Sequence, residues 1–434
     1  MKYHFIGIKG SGMSSLAQII HDLGNEVQGS DVTHHLFTED ALVERGIKLL
    51  PFDPENIKDD MIVVIGNVFR DDHPEVMKTK ELGLKSYRYF ELLGELVKKY
   101  NTVAVCGCHG KTTTTGLISH VFEDIVGTNY LIGDGTGHSD KDNDYFMIEA
   151  CEYKRHFLHY FPKYIIMTNI DLDHVDYFKD LDDVKEAYID FCNQADKLIV
   201  ACGDDENVRN IKVDKPIMYY GLGEDNDVVA KNVKLSNTGS SFDVYIKGKN
   251  VGHFDVPLFG KHMLLNALSV ITIAHLEGLD MNKVAESIKN FKGAKRRFKE
   301  TKIGDIVNVD DYAHHPAEVK VTIESARQKY PDKEVVAVML PNTYSRTKEL
   351  YKDFADALNL ADKAYVMDIF CDRERPEEWP GVTSDLIIDL LTNGERISMD
   401  TADKLLKHKN SVILFMSCKD IYTLQEEFEK LLKN

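Results

Sequence analysis

The sequence predicts an α/β protein of three domains with mainly parallel sheets, and three observations support this. The chain has 434 residues, which suits about three domains of ~150 residues each. Short runs of β-branched residues alternate with amphipathic helical patterns along the chain, an alternation typical of parallel sheets. Several of these runs end in glycine loops or acidic side chains, at the strand ends where open α/β sheets bind ligands.

The composition argues against several classes of protein. Hydrophobic residues make up 43% of the chain and charged residues 29%, as in ordinary globular proteins. The net charge of −18 argues against nucleic acid and anionic membranes as partners, because no surplus of positive charge exists. Seven cysteines without a C-x-x-C pair disfavour a disulfide framework or a zinc knuckle. With no signal-peptide pattern and no long apolar run, we expect a cytoplasmic protein.

The first strand–helix–strand unit contains a glycine loop and a terminal acid. Residues 3–8 indicate a buried strand, Gly7–Gly12 form the loop, and an amphipathic helix runs to Gly24. A second strand over residues 26–30 ends at Asp31, where a Rossmann fold binds a ribose. The glycines run G-x-x-G-x-G rather than G-x-G-x-x-G, so NAD is not the expected ligand. A diphosphate on the helix N-terminus and plain turn chemistry both remain open.

Polar residues also follow the next predicted strand. The strand at residues 61–65 leads into Asn67, and His73 lies a few residues further on. These side chains are either ligand contacts at a sheet edge or parts of an ordinary loop. A helix over residues 89–99 then ends the first predicted domain.

A phosphate-binding loop follows this boundary. The run Thr102–Cys106 leads into Gly107-Cys108-His109-Gly110-Lys111-Thr112-Thr113, the layout of strand, phosphate loop and helix. Glycines let backbone N–H groups face an anion, and Lys111 adds a full positive charge. A hydroxyl directly after the lysine suits Mg²⁺. Val105 replaces the first glycine of the Walker pattern, and a glycine turn that merely starts a helix is the alternative. We interpret the stretch as an ATP phosphate loop.

Two later strands carry acidic groups to the edge of the sheet that holds this loop. The strand at residues 144–148 ends in Glu149, and the strand at residues 164–170 ends in Asp171 and His174. Because Mg²⁺ prefers oxygen ligands and shares them with phosphates, Glu149 is a candidate ligand. His174 could be a capping group or a metal ligand.

The remainder of the central region carries fewer signals. Residues 197–255 are rich in β pattern and indicate a peripheral hairpin region. Asn266 interrupts an apolar helix and is either turned to solvent or a ligand contact. The basic cluster Lys295–Phe298 is either a solvated surface or a place where an arginine stabilises charge in phosphoryl transfer. The second domain boundary is predicted near residue 299, after which strands and helices alternate again.

Together these motifs resemble the Mur ligase family over nearly the whole chain. The matching segments are residues 7–14, 107–112, 149–158, 168–174, 262–266, 295–298 and 310–316. The resemblance implies a Rossmann-like N-terminal domain over residues 1–99. It further implies a central P-loop ATPase-like domain over residues 100–298 and a C-terminal Rossmann-like domain over residues 299–434.

The family resemblance also implies an activity. The expected enzyme is an ATP-dependent amide ligase that joins L-alanine to the lactyl carboxylate of UDP-N-acetylmuramate through an acyl phosphate, in peptidoglycan precursor synthesis. Its cofactors would be ATP and Mg²⁺, and it would be a monomer or homodimer. One alternative is a ligase that attaches a preformed peptide to the same nucleotide sugar in cell-wall recycling. Another is a non-catalytic, nucleotide-binding paralogue with a regulatory role.

The resemblance assigns roles to residues of the matching motifs. The implied catalytic residues are Lys111, Glu149, His174 and Arg297. The implied ATP contacts are Gly107, Cys108, His109, Gly110, Lys111, Thr112, Thr113, Asn266, Arg297 and Asp311. The implied Mg²⁺ ligands are Thr112, Thr113, Glu149 and His174. The implied substrate contacts are Gly10, Ser11, Met13, Asp31, Asn67, His73 and Arg346.

The chain departs from the family pattern at three places. Asn342 stands where the family often has histidine, and Ser417–Lys419 replace a Gly-Ala-Gly run. Met263 stands where many relatives have a second asparagine. All three changes fall where domains are expected to meet, so they bear on the choice of amino acid or on turnover.

Overall fold

Three sheets flanked by helices make up the protein. The computed structural model describes residues 1–371 and 374–433. The strands of the three sheets come from residues 2–88, 101–256 and 299–416 in turn. The predicted three-domain α/β fold is therefore confirmed, while the limits 1–99, 100–298 and 299–434 stay predictions. In the part of the chain described, no helix is both long enough and apolar enough to cross a bilayer.

The N-terminal sheet is entirely parallel. Its elements are β1 (Lys2–Ile6), α1 (Ser11–Asp22), β2 (Glu26–Ser30), α2 (Asp40–Glu44), β3 (Lys48–Leu50), β4 (Met61–Ile65), α3 (Pro74–Glu81), β5 (Ser86–Arg88) and α4 (Tyr89–Val97), with a 3₁₀ turn at Pro54–Asn56. The strand order is β3-β2-β1-β4-β5. The order reverses between β1 and β4, so the loops after these strands flank the crevice where such sheets bind ligands.

The central sheet is parallel in its middle and antiparallel at both ends. Its strands are β6 (Asn101–Cys106), β7 (Asn129–Ile132), β8 (Thr136–His138), β9 (Tyr145–Glu149), β10 (Tyr164–Met167), β11 (Leu198–Cys202), β12 (Ile217–Gly221), β13 (Val228–Ser236), β14 (Gly239–Ile246) and β15 (Lys249–Val256). Its helices are α5 (Lys111–Ile125), α6 (Leu181–Cys192), α7 (Glu206–Asn210), α8 (Lys261–Leu276) and α9 (Met281–Asn290), with a 3₁₀ segment at Tyr153–His159.

The order of this sheet determines which loops meet. It runs β15-β14-β13-β12-β11-β10-β6-β9-β7-β8. Because β6 lies between β10 and β9 and is parallel to both, their carboxyl ends share one edge. That edge carries the glycine loop, Glu149 and Asp171, as the sequence predicts. The antiparallel strands β13, β14 and β15 form the predicted hairpin region at the far end of the sheet.

The C-terminal sheet has one antiparallel edge strand. Its elements are β16 (Lys299–Ile303), β17 (Ile306–Asp311), α10 (Pro316–Lys329), β18 (Glu334–Met339), α11 (Tyr344–Leu358), β19 (Lys363–Val366), α12 (Asp385–Ile388), β20 (Gly394–Arg396), β21 (Ser411–Met416) and α13 (Tyr422–Lys433), with 3₁₀ segments at Pro376–Glu378 and Met399–Lys407. The order is β16-β17-β21-β18-β19-β20, and only β16 pairs antiparallel among these strands.

The apolar core is divided unevenly among the three sheets. One buried cluster is continuous from Phe5 and Leu16 in the N-terminal region to Ile148 and Phe191 in the central region. The hairpin β7–β8 packs on α1, where Gln18 donates a hydrogen bond to the carbonyl of Gly135 at 2.8 Å. The C-terminal sheet is covered by two clusters of its own. The first two regions therefore share a core, and the third does not.

Glu277, just after α8, stabilises the central region through its carboxylate. It accepts hydrogen bonds from the hydroxyls of Tyr164 and Tyr145 and pairs with Lys163 at 3.0 Å. Burial alone would raise the pKa of Glu277, but these partners lower it from 4.5 to about 2. The carboxylate is ionised above the unfolded pKa, so its stabilisation is complete there and is lost as pH falls from about 4.5 to about 2.

We expect Glu277→Gln to lower the free energy of unfolding by about 2–3 kcal/mol at neutral pH. The variant should also lose part of the acid dependence of stability between pH 4.5 and 2. Urea denaturation across this pH range measures both effects. Glu286→Gln removes an exposed carboxylate from nearby α9 and serves as the matched control. Parallel pH profiles for wild type and Glu277→Gln would contradict the assignment.

Candidate active site

The loop between β6 and α5 depends on two glycines. Gly110 caps α5 with φ of +80°, and Gly107 has φ of +134°. Both values lie where only glycine is unstrained. A Cβ on Gly107 would also collide with the hydroxyl of Thr168. The two glycines thus fix the conformation of the loop that leads into the N-terminus of α5.

The end of β10 holds this loop in position. The Asn169 side chain accepts a hydrogen bond from the backbone N–H of His109 at 2.8 Å and donates one to its carbonyl at 2.9 Å. The Thr168 hydroxyl donates to the same carbonyl at 2.6 Å. Neighbouring strands therefore preorganise the loop, and the sequence alone did not identify either residue as its support.

Lys111 is paired with a carboxylate that sequence reasoning missed. Its ammonium lies 2.9 Å from Glu152 and donates to the carbonyl of Cys108 at 3.1 Å. Glu152 is only 1% exposed, and His174 Nε2 lies 3.5 Å from its other oxygen. Burial alone would raise the pKa of Glu152, but the Lys111 charge lowers it. The one signal in the sequence that could have identified Glu152 is its position three residues after Glu149.

Glu149 is adjacent to the first hydroxyl of α5. The Thr112 hydroxyl donates to Glu149 Oε1 at 3.2 Å, and the backbone N–H of Gly133 donates to Oε2 at 2.8 Å. Burial raises the pKa of Glu149, and the charge of Lys111 opposes this shift. A carboxylate beside a hydroxyl offers the oxygen ligands that suit Mg²⁺.

His174 has an unusual backbone conformation. Its φ is +52°, in a left-handed region that non-glycine residues occupy at a cost and uncommonly. Its backbone N–H donates to the Asp173 side chain at 2.6 Å. Burial would lower the pKa of His174, but Asp173 and Glu152 raise it. The imidazole therefore lies among carboxylates rather than at a helix cap.

Two cavities meet at the glycine loop. The larger has a volume of about 890 Å³, and the smaller about 260 Å³. The predicted residues that line the larger cavity are His109, Gly110, Thr113, Asn266, Arg297 and Asp311. Those that line the smaller one are Ser11, Cys108, Gly110, Lys111, Thr112, Glu149, His174, Arg297 and Arg346. All four predicted catalytic residues thus border the smaller cavity.

Asn266 and Asp311 both line the larger cavity, but Asn266 faces the glycine loop whereas Asp311 accepts hydrogen bonds from the backbone around it. Asn266 on α8 is 4% exposed and faces Gly110, so it is not the solvent-facing amide that the sequence left open. Asp311 accepts backbone hydrogen bonds from Phe298 and Ala313, both at 2.8 Å. The Asp311 carboxylate therefore holds the chain on both sides of the C-terminal strand pair.

Five predicted substrate contacts are not among the described residues that line either cavity. They are Gly10, Met13, Asp31, Asn67 and His73. Met13 is buried in the core. Asp31 accepts a hydrogen bond from the backbone N–H of Lys9 at 2.7 Å, which shapes the first glycine loop. His73 packs against both Phe52 and Phe69, at ring-centroid distances of 5.0 and 4.9 Å.

The C-terminal region contributes a buried cation to the smaller cavity. Arg346 on α11 pairs with Asp173 at 2.7 Å, and both side chains are less than a tenth exposed. The Arg346 Nε and Nη1 atoms have no hydrogen-bond partner among the described residues. Asn342 lines the same cavity, and its Oδ1 is likewise buried without a partner there. Sequence reasoning identified Arg346 and missed Asp173.

Arg297 is held near the junction of the two cavities by another carboxylate. Its guanidinium lies 3.6 Å from Glu318 on α10. Burial would lower the pKa of Arg297, but Glu318 and Asp311 raise it. The flanking residues Arg296 and Phe298 have φ of +52° and +53°. This strained segment directs Arg297 toward the glycine loop, and Glu318 is a further site residue that the sequence did not indicate.

Comparison with known protein families and solved structures finds relatives over nearly the whole chain. Models of the Mur ligase catalytic domain, the Mur ligase middle domain and the Mur ligase glutamate ligase domain match residues 2–101, 105–274 and 296–417. The structure of UDP-N-acetylmuramate-alanine ligase MurC from Thermotoga maritima is similar, with a TM-score of 0.81 and 26% identity. That match covers 100% of this chain and 99% of the other.

Two further structures share the fold at lower identity. A murein peptide ligase from Psychrobacter arcticus has a TM-score of 0.72 and 23% identity, covering 100% of this chain and 99% of the other. MurF ligase from Thermotoga maritima, in complex with ADP, has a TM-score of 0.65 and 16% identity, covering 96% and 97%. With three successive models covering nearly its whole length, the chain belongs to the Mur ligase family.

Proposed function

We propose that the protein is an ATP-dependent ligase that joins L-alanine to UDP-N-acetylmuramate in cytoplasmic peptidoglycan precursor synthesis. One observation carries the proposal: Lys111 of the phosphate loop and the unpaired N–H groups of Arg346 border one cavity of about 260 Å³. This arrangement can bring a phosphate and an amino-acid carboxylate within reach of each other. The full-length similarity to the Thermotoga maritima alanine ligase supports this proposal.

The nucleotide end of the proposed site lies in the glycine loop and the larger cavity. Backbone N–H groups at the start of α5 would bind the phosphates, and Lys111 would exchange Glu152 for a phosphate oxygen. The larger cavity, with a volume of about 890 Å³, has room for the nucleoside. Thr112 and Glu149 fit Mg²⁺ as oxygen ligands, and when bound the ion would neutralise phosphate charge.

The amino-acid end lies at the other side of the smaller cavity. The Arg346 Nε and Nη1 atoms would donate hydrogen bonds to a carboxylate, since a buried unpaired donor is costly. The Asn342 Oδ1 would accept from the amine. Together they complement a small amino acid, with one cation and one acceptor. The limited volume favours alanine over a preformed peptide.

Positioning and charge stabilisation are the expected contributions of the chain to catalysis. Arg297 would stabilise negative charge that develops on the transferred phosphoryl group. Asp173 would orient Arg346 and thereby place the amine beside the activated carboxyl group. Once Lys111 has moved to the phosphate, Glu152 would remain paired with His174 beside it. The surrounding walls would exclude water from an acyl phosphate.

The murein peptide ligase fold makes a peptide-adding enzyme the second candidate. Phosphate release from ATP, Mg²⁺ and UDP-N-acetylmuramate, with L-alanine, glycine, L-serine or a short peptide, distinguishes the two. We expect release with L-alanine and a product heavier by one alanyl unit. Release only with the peptide would favour the recycling enzyme. Measurable ATP binding without release in any mixture would favour a regulatory paralogue.

Asn342→His tests the amino-acid end. Histidine replaces a short acceptor in a confined cavity, so we expect the KM for L-alanine to change by about tenfold. The KM for ATP should change by less than about twofold, because Asn342 does not line the nucleotide cavity. Steady-state kinetics with each substrate varied separately measure both constants. An unaltered KM for L-alanine would remove Asn342 from the proposed site.

A further inference from the structure

We propose that His109, Asp171 and His315 form a binding site for Zn²⁺ between the glycine loop and the C-terminal region, distinct from the proposed Mg²⁺ ligands. One ligand atom from each side chain lies within 4.8 Å of the others. Among residues 1–371 and 374–433, no other group of three histidine, cysteine or acidic side chains brings its ligand atoms this close together. The proposal goes beyond the ligase reaction and does not depend on it.

The distances suit a tetrahedral ion. His109 Nε2 lies 3.4 Å from Asp171 Oδ2, and His315 Nδ1 lies 3.9 Å from the same oxygen. Ligand bonds of about 2.0–2.2 Å place neighbouring tetrahedral ligands roughly 3.3–3.5 Å apart. Small side-chain rotations therefore bring the three atoms onto one ion. Asp171 is 45% exposed, so solvent has access and can supply a fourth ligand.

The second nitrogen of each imidazole already faces an acceptor. His109 Nδ1 lies 3.7 Å from the Glu318 carboxylate, and His315 Nε2 lies 3.3 Å from the Leu172 carbonyl. Metal-binding histidines usually donate their other N–H to such groups, which fixes the ring and its tautomer. These contacts present His109 Nε2 and His315 Nδ1 to the same space. The outer contact of a histidine–zinc centre is therefore formed at His315. His109 Nδ1 is buried without a hydrogen-bond partner among the described residues, and a small rotation toward Glu318 would give it one.

The chemical types of the three ligands favour Zn²⁺ over Mg²⁺. Two imidazoles and one carboxylate suit Zn²⁺ and related divalent transition metals, whereas Mg²⁺ prefers an all-oxygen set. The weak hydrogen bond from the Ala317 backbone N–H to His315 Nδ1, at 3.3 Å, would be replaced by the metal bond. Thr112 and Glu149 provide the oxygen ligands elsewhere in the site, so the two sites differ in chemistry.

Zinc at this position would connect parts of the chain that lie in different sheets. His109 belongs to the glycine loop and Asp171 to the loop after β10, while His315 caps α10 of the C-terminal region. A single ion would therefore hold the C-terminal region against the glycine loop. In that state the wall of the larger cavity that contains His109 would be fixed to α10.

Zinc titration of the full chain tests the site. The ion is added in competition with a chromophoric chelator, with Mg²⁺ in large excess to occupy the oxygen sites. His315→Asn removes the imidazole but keeps a good helix cap, and Asp171→Asn removes the charge at an accessible position. His253→Asn is the matched control, because this imidazole is 56% exposed and pairs with Asp243 on β14, away from the site. Circular dichroism verifies that each variant is folded.

We expect His315→Asn and Asp171→Asn each to weaken the tightest zinc binding by at least about tenfold, and His253→Asn to bind as wild type does. Two results would overturn the proposal. One is wild-type zinc affinity in both His315→Asn and Asp171→Asn. The other is equal weakening in all three variants, which would indicate scattered surface histidines. Because the measurement is metal binding, it is independent of whether the protein ligates alanine.

Discussion

Lys111→Ala is expected to abolish ATP-dependent ligation, with kcat reduced by at least about 10³-fold. The lysine supplies a full positive charge in the glycine loop. Lys295 also lines the smaller cavity, but it lies in the segment that leads to Arg297 and not in this loop. Coupled detection of ADP with saturating substrates measures the loss. ATP-dependent product formation at an unchanged rate would show that the phosphate-loop interpretation is wrong.

A loss of activity in Lys111→Ala could come from lost catalysis or from lost stability, so the two must be measured separately. Removing Lys111 leaves Glu152 buried without its ion-pair partner, and an unpaired buried charge is strongly destabilising. The double variant Lys111→Met with Glu152→Gln removes both charges and should restore the melting temperature without restoring activity. Lys98→Ala, at an exposed position after α4, is the control for a generic loss of a lysine. An active double variant would contradict the proposed role.

Arg346→Lys is expected to raise the KM for L-alanine by roughly 30-fold or more, with a change below about threefold in the KM for ATP. Lysine retains the charge opposite Asp173 but lacks the forked N–H groups that now have no partner among the described residues. The amino-acid carboxylate would therefore lose its two donors. Initial rates at varied L-alanine and fixed, saturating ATP give the first constant, and the reverse design gives the second.

Arg327→Lys provides the matched comparison for this result. Arg327 on α10 forms a similar pair with Asp362 at 3.0 Å, but it is exposed and lies outside the lining of both cavities. Its replacement should leave both KM values unchanged. A rise in both constants for Arg346→Lys would indicate a general disturbance of α11. No rise in either would exclude Arg346 from the amino-acid end.

The sequence predicted the elements whose patterns are local. β2 and β4 have the predicted limits, because each is a short strand, mostly buried toward its end, that is bounded by loops. β1 ends at Ile6 rather than at residue 8, since Gly7 turns with φ of +83°. The hairpin β7–β8 was not predicted. Its strands are four and three residues long, which is too short to show a period, and packing against α1 stabilises them.

The site was predictable where a motif carries the chemistry and unpredictable where tertiary contacts choose the partner. Lys111 and Glu149 are recognisable from the strand–loop–helix pattern. Glu152, Asp173 and Glu318 are ordinary acidic residues in the sequence, and only the fold brings them against cations. No spacing rule connects positions 109, 171 and 315, so the proposed zinc ligands become visible only when three loops meet.

The uneven division of the apolar core determines which parts of the chain can be removed without exposing apolar surface. A fragment lacking residues 1–99 would uncover the apolar surface that α1 and α4 share with the central sheet, so we expect it to aggregate. The C-terminal region keeps its own core and is joined through a short segment with left-handed residues at Gly293 and Arg296. We therefore expect limited proteolysis to cleave this connecting segment first and to leave the N-terminal and central regions together as one fragment.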